Sequence, residues 1–136
     1  MYEYYVKRQR RKELYLRFRN LKFIVPKETE CFWPYYAICF VGEYDPILMR
    51  ISSLDIVIDA GANIGIFTLL AAKKAKTVIA VEPDPENFEY LRENVRLNEA
   101  KNVVLVNKAL SNYVGDGFIY GRGPLKALSH RGLQLK

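Results

Sequence analysis

VIDAGANIGIFT, Val57 to Thr68, is the stretch whose reading decides the fold. A short apolar run (Ile56, Val57, Ile58) ends in Asp59 and is followed at once by Gly61, Ala62, Asn63, Ile64 and Gly65. That order reads as strand, turn, helix, because glycines mark backbone that turns sharply or leaves room for a close ligand. The helix, Ile64 to about Lys74, is apolar almost all round, as expected of one packed onto a sheet. A second apolar run, Val78 to Val81, ends in Glu82, where a Rossmann-type unit places the acid that takes ribose hydroxyls. One βαβ unit with a nucleoside-binding rim follows from these spacings.

Downstream, a helix is predicted from Asp84 or Pro85, with Pro85 suited to its first turn and Phe88, Leu91, Val95 and Leu97 as its apolar stripe. NVVLV, Asn102 to Val106, reads as a third parallel strand. Gly115 to Tyr120 reads as a short hairpin arm, and residues 121–136 as an irregular tail. The core therefore spans 54–120.

Upstream lie two segments of different composition. Residues 1–22 carry eight basic side chains against Glu3 and Glu13, so the whole net charge of +6 sits in this arm. Leu14, Phe18 and Leu21 recur at helical spacing, which predicts an amphipathic basic helix. Such an arm reads either as a solvated leader or as a phosphate-binding surface for RNA or lipid. Residues 23–53 form an aromatic-rich cap holding Phe32, Trp33, Tyr35, Tyr36, Phe40 and Tyr44, with strand-like pieces at Leu21–Val25 and Tyr36–Val41 and a Pro34 unsuited to a central ladder. Glu43, Tyr44 and Asp45 are general-base candidates by residue type, but surface or turn roles suit them better, and no catalytic residue is assigned.

One domain fits 136 residues that are 50% hydrophobic. Apolar runs fall short of the roughly 18 residues of a membrane helix and the first residues do not resemble a signal peptide, so a cytoplasmic protein is expected. Cys31 and Cys39 are too few for a disulfide scaffold, and with His130 as the one histidine no metal site is expected. The two cysteines read as plain buried thiols.

The glycine spacing chooses among nucleotide-like ligands. Dinucleotide sites use G-x-G-x-x-G to seat a pyrophosphate on bare backbone. Here the pattern is D-x-G-x-N-x-G: Asp59, Gly61, Asn63, Gly65. An acid at the strand end repels a pyrophosphate and suits a ligand bearing an ammonium and a sulfonium, so the electrostatics favour S-adenosylmethionine.

DIVIDAGANIGIFTLLAAKKAKTVIAVEPDPENFEYLRENVRLN, followed by NVVLVNKALSN, resembles S-adenosylmethionine-dependent methyltransferases of the FkbM type over roughly residues 42–120. The resemblance rests on the loop Asp59, Gly61, Ala62, Asn63, Gly65, on Glu82 and Pro83 with Asp84 and Asn87 after them, and on Ala109, Leu110 and Ser111. It implies that the loop cradles the methionyl part of the cofactor, that Glu82 binds ribose, and that Asn107, Lys108 and Ala109 flank adenine. It also implies O-methyl transfer to a small molecule, sugar or lipid precursor. No D-x-E-G motif of the family follows Tyr120, so the expected architecture is a partial class I methyltransferase fold, an α/β Rossmann-like sheet ordered 3-2-1 and truncated after the third strand. Such a half-fold reads as a gene remnant, half of a split enzyme, or a piece that pairs with itself or a complementing chain, and it is expected to bind the cofactor poorly and be inactive alone. Two alternatives stay open: an RNA methyltransferase of related fold using the basic arm, and a non-catalytic binding or assembly half-domain. Against the RNA reading stands NKALS, which lacks the acid such enzymes place after the third strand.

Overall fold

The computed structural model describes residues 13–26, 35–112, 114–115, 117–119 and 126–128. Strands β1 (Glu13–Phe18) and β2 (Leu21–Pro26) pair antiparallel with Phe18 opposite Leu21 and Leu16 opposite Phe23. The expected helix over this part of the basic arm is therefore corrected to a hairpin, while the strand expected at Leu21–Val25 is present. Leu14, Leu16 and Phe18 also alternate with period two, as do the buried Leu21, Phe23 and Val25, so both periods fit and the turn decides. Arg19 (φ 46°) and Asn20 (φ 66°) both take left-handed backbone, the geometry of a two-residue turn that matches strand twist. Residues 1–12, with the arm's other cations, lie outside the described residues, as do Cys31, Phe32, Trp33 and Pro34 of the cap.

Tyr36–Val41, expected to be strand-like, is instead mostly a π-helical turn (Ala37–Val41) closed by left-handed Gly42. Tyr35 and Cys39 are buried while Tyr36 and Phe40 are exposed, an i, i+4 pattern that a helical turn satisfies and a strand does not. Burial pushes the Cys39 thiol up to about 12, which leaves it a packed, unreactive group. A short helix, α1 (Asp45–Arg50), leads into the core.

The core alternates β3 (Ile56–Ala60), α2 (Ile66–Ala72), β4 (Thr77–Val81), α3 (Pro85–Leu97) and β5 (Val103–Val106). The three strands are parallel in the order β5-β4-β3, as the class I methyltransferase resemblance implies. Asp84 caps α3, its side chain accepting from the Glu86 and Asn87 amides, and Pro85 fills the first turn where no donor is needed. Leu69 of α2 and Leu91 of α3 are fully buried in one cluster with Val78 and Ala80 of β4. Leu69, Leu91 and Val78 each stabilise the fold by about 1.5–3 kcal/mol.

Burial is one-sided. Register places Ile58, Ile79 and Val104 on the face opposite that core, and there Ile56 is 63% exposed, Ile58 47% and Val104 49%. Parallel sheets normally carry helices on both faces, so among the described residues β3 presents a free edge beside an open apolar face. The predicted tail arm is corrected in extent: β6 (Gly117–Ile119) pairs with β7 (Lys126–Leu128), so its second strand falls in the segment expected to be irregular. Tyr120 and most of the tail lie outside the described residues. Among the described residues no helix is long and apolar enough to cross a membrane.

The open edge and face predict self-association. Light scattering should show an average mass that rises with concentration, and Val104→Lys, which puts a charge on that face away from the cleft, should suppress the rise. A mass that stays monomeric at every concentration would mean that the face is covered.

Candidate functional site

The turn between β3 and α2 owes its shape to three residues in left-handed backbone: Gly61 (φ 82°), Asn63 (φ 52°) and Gly65 (φ 89°). The two glycines serve different ends. A Cβ on Gly65 would stand 2.6 Å from Leu91 Cδ1, so this glycine lets α3 pack close beneath the loop. A Cβ on Gly61 would meet no protein atom within 4 Å, so there glycine keeps open space beside the loop.

The loop's backbone donors are all used within the protein. Gly61 and Ala62 both donate to the Val81 carbonyl at the end of β4 (2.8 and 2.9 Å), and Gly65 donates to the Ala62 carbonyl (2.9 Å). Asn63 N–H donates to Glu82 Oε2 at 2.7 Å, and Ile64 N–H to Asn63 Oδ1 at 2.8 Å. A phosphate-binding loop needs free amides aimed at its anion. This loop has none to offer.

What it offers instead is negative charge. Asp59, at the end of β3, accepts a hydrogen bond from the Thr68 hydroxyl of α2. Burial raises its pKa, and the Thr68 hydrogen bonds offset part of that rise. Glu82 is only 5% exposed, and its second oxygen, Oε1, accepts the Asp84 amide at 2.8 Å. Burial raises its pKa too, against the opposing pull of the Asp84 and Asn63 amides. Each carboxylate oxygen has two lone-pair sites, so Glu82 keeps acceptor capacity after latching the loop.

Asp59, Gly61, Ala62 and Asn63 line a cleft of about 500 Å³. Its other wall is apolar, built by Ile38 of the π-helical turn, Tyr44, Ile47 of α1 and Phe67. The Tyr44 and Phe67 rings lie 5.1 Å apart. Glu43 is exposed and Asp45 pairs with Arg19 at 3.5 Å, as surface groups do, whereas Tyr44, one of the cap aromatics read either as covering a ligand or as packing on the sheet, is a cleft wall. Gly65 lies under the loop, outside the cleft. Glu82, Pro83, Asp84 and Asn107 gather beside it at the ends of β4 and β5: Asn107 Nδ2 donates to the Glu82 carbonyl at 2.8 Å and to that of Pro83 at 3.4 Å. Lys108 and Ala109 follow Asn107 and are half-buried outside the cleft. Among the described residues no three His, Cys, Asp or Glu side chains are grouped to hold a metal ion.

Comparison with known proteins matches residues 33–117 to the TRM5/TYW2 methyltransferase domain. The chain belongs to this family. A tRNA (guanine(37)-N(1))-methyltransferase of Batrachochytrium dendrobatidis is 34% identical over 86 residues, which cover 58% of this chain and 18% of that protein. A tRNA(Phe) (4-demethylwyosine(37)-C(7)) aminocarboxypropyltransferase of Methanocaldococcus jannaschii is 31% identical over 100 residues, 62% of this chain and 40% of that one. Among solved structures, P. horikoshii TYW2 in complex with MeSAdo superposes with a TM-score of 0.63 at 26% identity, over 76% of this chain and 39% of that chain. The chain thus spans well under half the length of these TRM5/TYW2 relatives.

One expectation is thereby corrected: the FkbM resemblance gives way to the TRM5/TYW2 family. The relatives' names specify tRNA, which fits the RNA alternative better than a small-molecule, sugar or lipid acceptor. The physical reason is that D-x-G-A-N-x-G encodes a loop shape, three left-handed residues tied to the next strand, and that shape says nothing about the acceptor.

Asp59→Asn tests the charge in the cleft. A raised folded-state pKa means that the ionised form is the costly one, so this acid weakens the fold at pH values above that pKa and the cost disappears on protonation. The variant should melt at or above the wild-type temperature at neutral pH, with the difference closing as pH falls toward the ordinary Asp value of 3.8. Thermal melts across pH check this, and a variant less stable at neutral pH would mean that the Asp59 charge supports the fold.

Proposed function

We propose that this chain is the S-adenosylmethionine-binding part of a tRNA-modifying transferase, with methyl transfer to a guanine ring nitrogen as its reaction. The observation that carries the reading is the pairing of a loop whose five amides are internally bonded with two acids, Asp59 and Glu82, at adjacent strand ends. Such a rim disfavours phosphate and favours a cationic nucleoside. Membership of the TRM5/TYW2 family supports the same ligand and supports tRNA as acceptor. When bound, S-adenosylmethionine supplies an electron-poor methyl carbon on its sulfonium sulfur.

The residues divide the work as follows. Glu82 accepts the ribose hydroxyls with its remaining lone pairs, and Pro83 and Asp84 shape the rim beside it. Gly61 leaves room for the ligand, Ala62 and Asn63 form the cradle, and Gly65 keeps that cradle close to α3. Asp59 balances the positive charge of the methionyl end. Asn107, Lys108 and Ala109 border adenine. Tyr44, Ile47 and Phe67 exclude water from the side where the acceptor enters, and holding nucleophile and carbon in line supplies most of what such a transfer needs. The basic segment 1–22, including exposed Arg17, Arg19 and Lys22 of the hairpin, contacts RNA phosphates.

Calorimetric titration with S-adenosylhomocysteine tests the cofactor half. Hydrogen bonds to a charged acceptor contribute about 1.5–3 kcal/mol, so Glu82→Ala should weaken binding roughly ten- to a hundred-fold. Equal affinity of both forms would remove the ribose role. Incubation with S-adenosylmethionine and a tRNA transcript tests the acceptor half: release of S-adenosylhomocysteine marks methyl transfer, and release of methylthioadenosine would assign the aminocarboxypropyl reaction instead.

A further inference from the structure

Asn94 sits in the third turn of α3, is fully buried, and is absorbed by neither the sheet nor the cleft. Its carboxamide makes three hydrogen bonds. Oδ1 accepts the Ile24 amide of β2 at 2.7 Å, while Nδ2 donates to the Ile24 carbonyl at 3.1 Å and to the Ile64 carbonyl of the ligand loop at 2.8 Å. One turn later Asn98 repeats the first half of this pattern: Oδ1 accepts the Lys22 amide at 2.8 Å and Nδ2 donates to the Lys22 carbonyl at 2.7 Å.

Lys22 and Ile24 are two residues apart on β2, so their backbone groups point the same way, along the edge that β1 does not use. Two strand residues advance about 6.7 Å and four helical residues about 6 Å, so Asn94 and Asn98 fall in step with the strand. The two side chains act as a substitute strand that fastens the hairpin to α3. Asn98 Nδ2 also donates to the Asn94 carbonyl at 2.8 Å, within α3 itself, whereas Asn94 reaches the loop, at Ile64, whose neighbour Asn63 is latched to Glu82.

We propose that Asn94 is a positioning residue that couples the ligand loop to the basic hairpin, so that ligand on the loop stiffens β2 and nucleic acid on the hairpin stiffens the loop. Reciprocity is a thermodynamic requirement once one group holds both elements. The coupling to cofactor and RNA rests on the function proposed above; the clamp itself does not. Asn98 is the built-in control, because it grips β2 in the same way and touches nothing in the loop.

Residue-resolved amide hydrogen exchange on the full chain tests this. Saturating S-adenosylhomocysteine should slow exchange of the Ile24 amide at least about fivefold and that of Lys22 less than about twofold. No change at Ile24, or equal slowing at both, would overturn the coupling. Without ligand, Asn94→Ala should speed exchange of the Asn63 and Gly65 amides more than tenfold, whereas Asn98→Ala should leave them within about twofold of wild type; loop exchange that responds to both variants alike, or to neither, would overturn the clamp. Should Asn94→Ala not fold, Asn94→Ser, whose shorter side chain reaches at most one partner, carries the same comparison. If S-adenosylhomocysteine binds no form of the chain, the proposed cofactor fails while the ligand-free arm still decides the role of Asn94.

Discussion

A carbonyl and a carboxylate at the end of β4 hold the ligand loop in place. Val81 accepts the amides of Gly61 and Ala62, and Glu82, the next residue, accepts that of Asn63. Cross-strand bonding thus continues past the end of β3 into the turn, and left-handed backbone at Gly61, Asn63 and Gly65 is what allows the chain to follow. Buried polar groups must find partners, and here the partners are the loop's own amides. The charge character of the site follows: with its donors consumed, the rim presents acids and open space, the complement of a cationic nucleoside.

The same latch accounts for the layering around the site. Gly65 lets Leu91 approach, α3 then lies under the loop, and Asn94 on α3 reaches both Ile64 above it and the hairpin beside it. The cleft wall of Ile38, Tyr44 and Ile47 comes from the segment joining hairpin to sheet. Ligand site and basic hairpin are therefore mechanically continuous although they are distant in sequence. Among the described residues the sheet stops at β3, which leaves the cleft side of the fold beside an open apolar face.

Much of the core was legible because its signals are local. Strand-end acids, loop glycines and the Asp84–Pro85 helix start each lie within a few residues of what they control, so β3 to β5 could be read directly, while their order followed from the methyltransferase resemblance. The hairpin was not, because Leu14, Phe18 and Leu21 match a helix as well as alternating residues match a strand, and the turn that settles it uses Arg19 and Asn20 rather than glycine. Asn94 was invisible for another reason: a lone asparagine in a helix reads as a solvated residue until two distant backbones are brought to it. Glu82 was read as a ribose-binding acid but not as a buried latch, since that role depends on contacts across the fold. The family was misread because the loop motif records how the backbone turns, while information about the acceptor lies in surfaces that the motif does not touch.

The central claim is that the loop and the two strand-end acids form one nucleoside site. Backbone amide chemical shifts followed by NMR during titration with S-adenosylhomocysteine test it most directly. The account predicts saturable shifts concentrated at Gly61, Asn63, Asp84 and Lys108, with the amides of Lys73 and Lys101, at the opposite end of the sheet where β4 and β5 begin, unchanged. Shifts centred on Lys73 and Lys101, or none at Gly61 and Asp84 at saturating ligand, would contradict it.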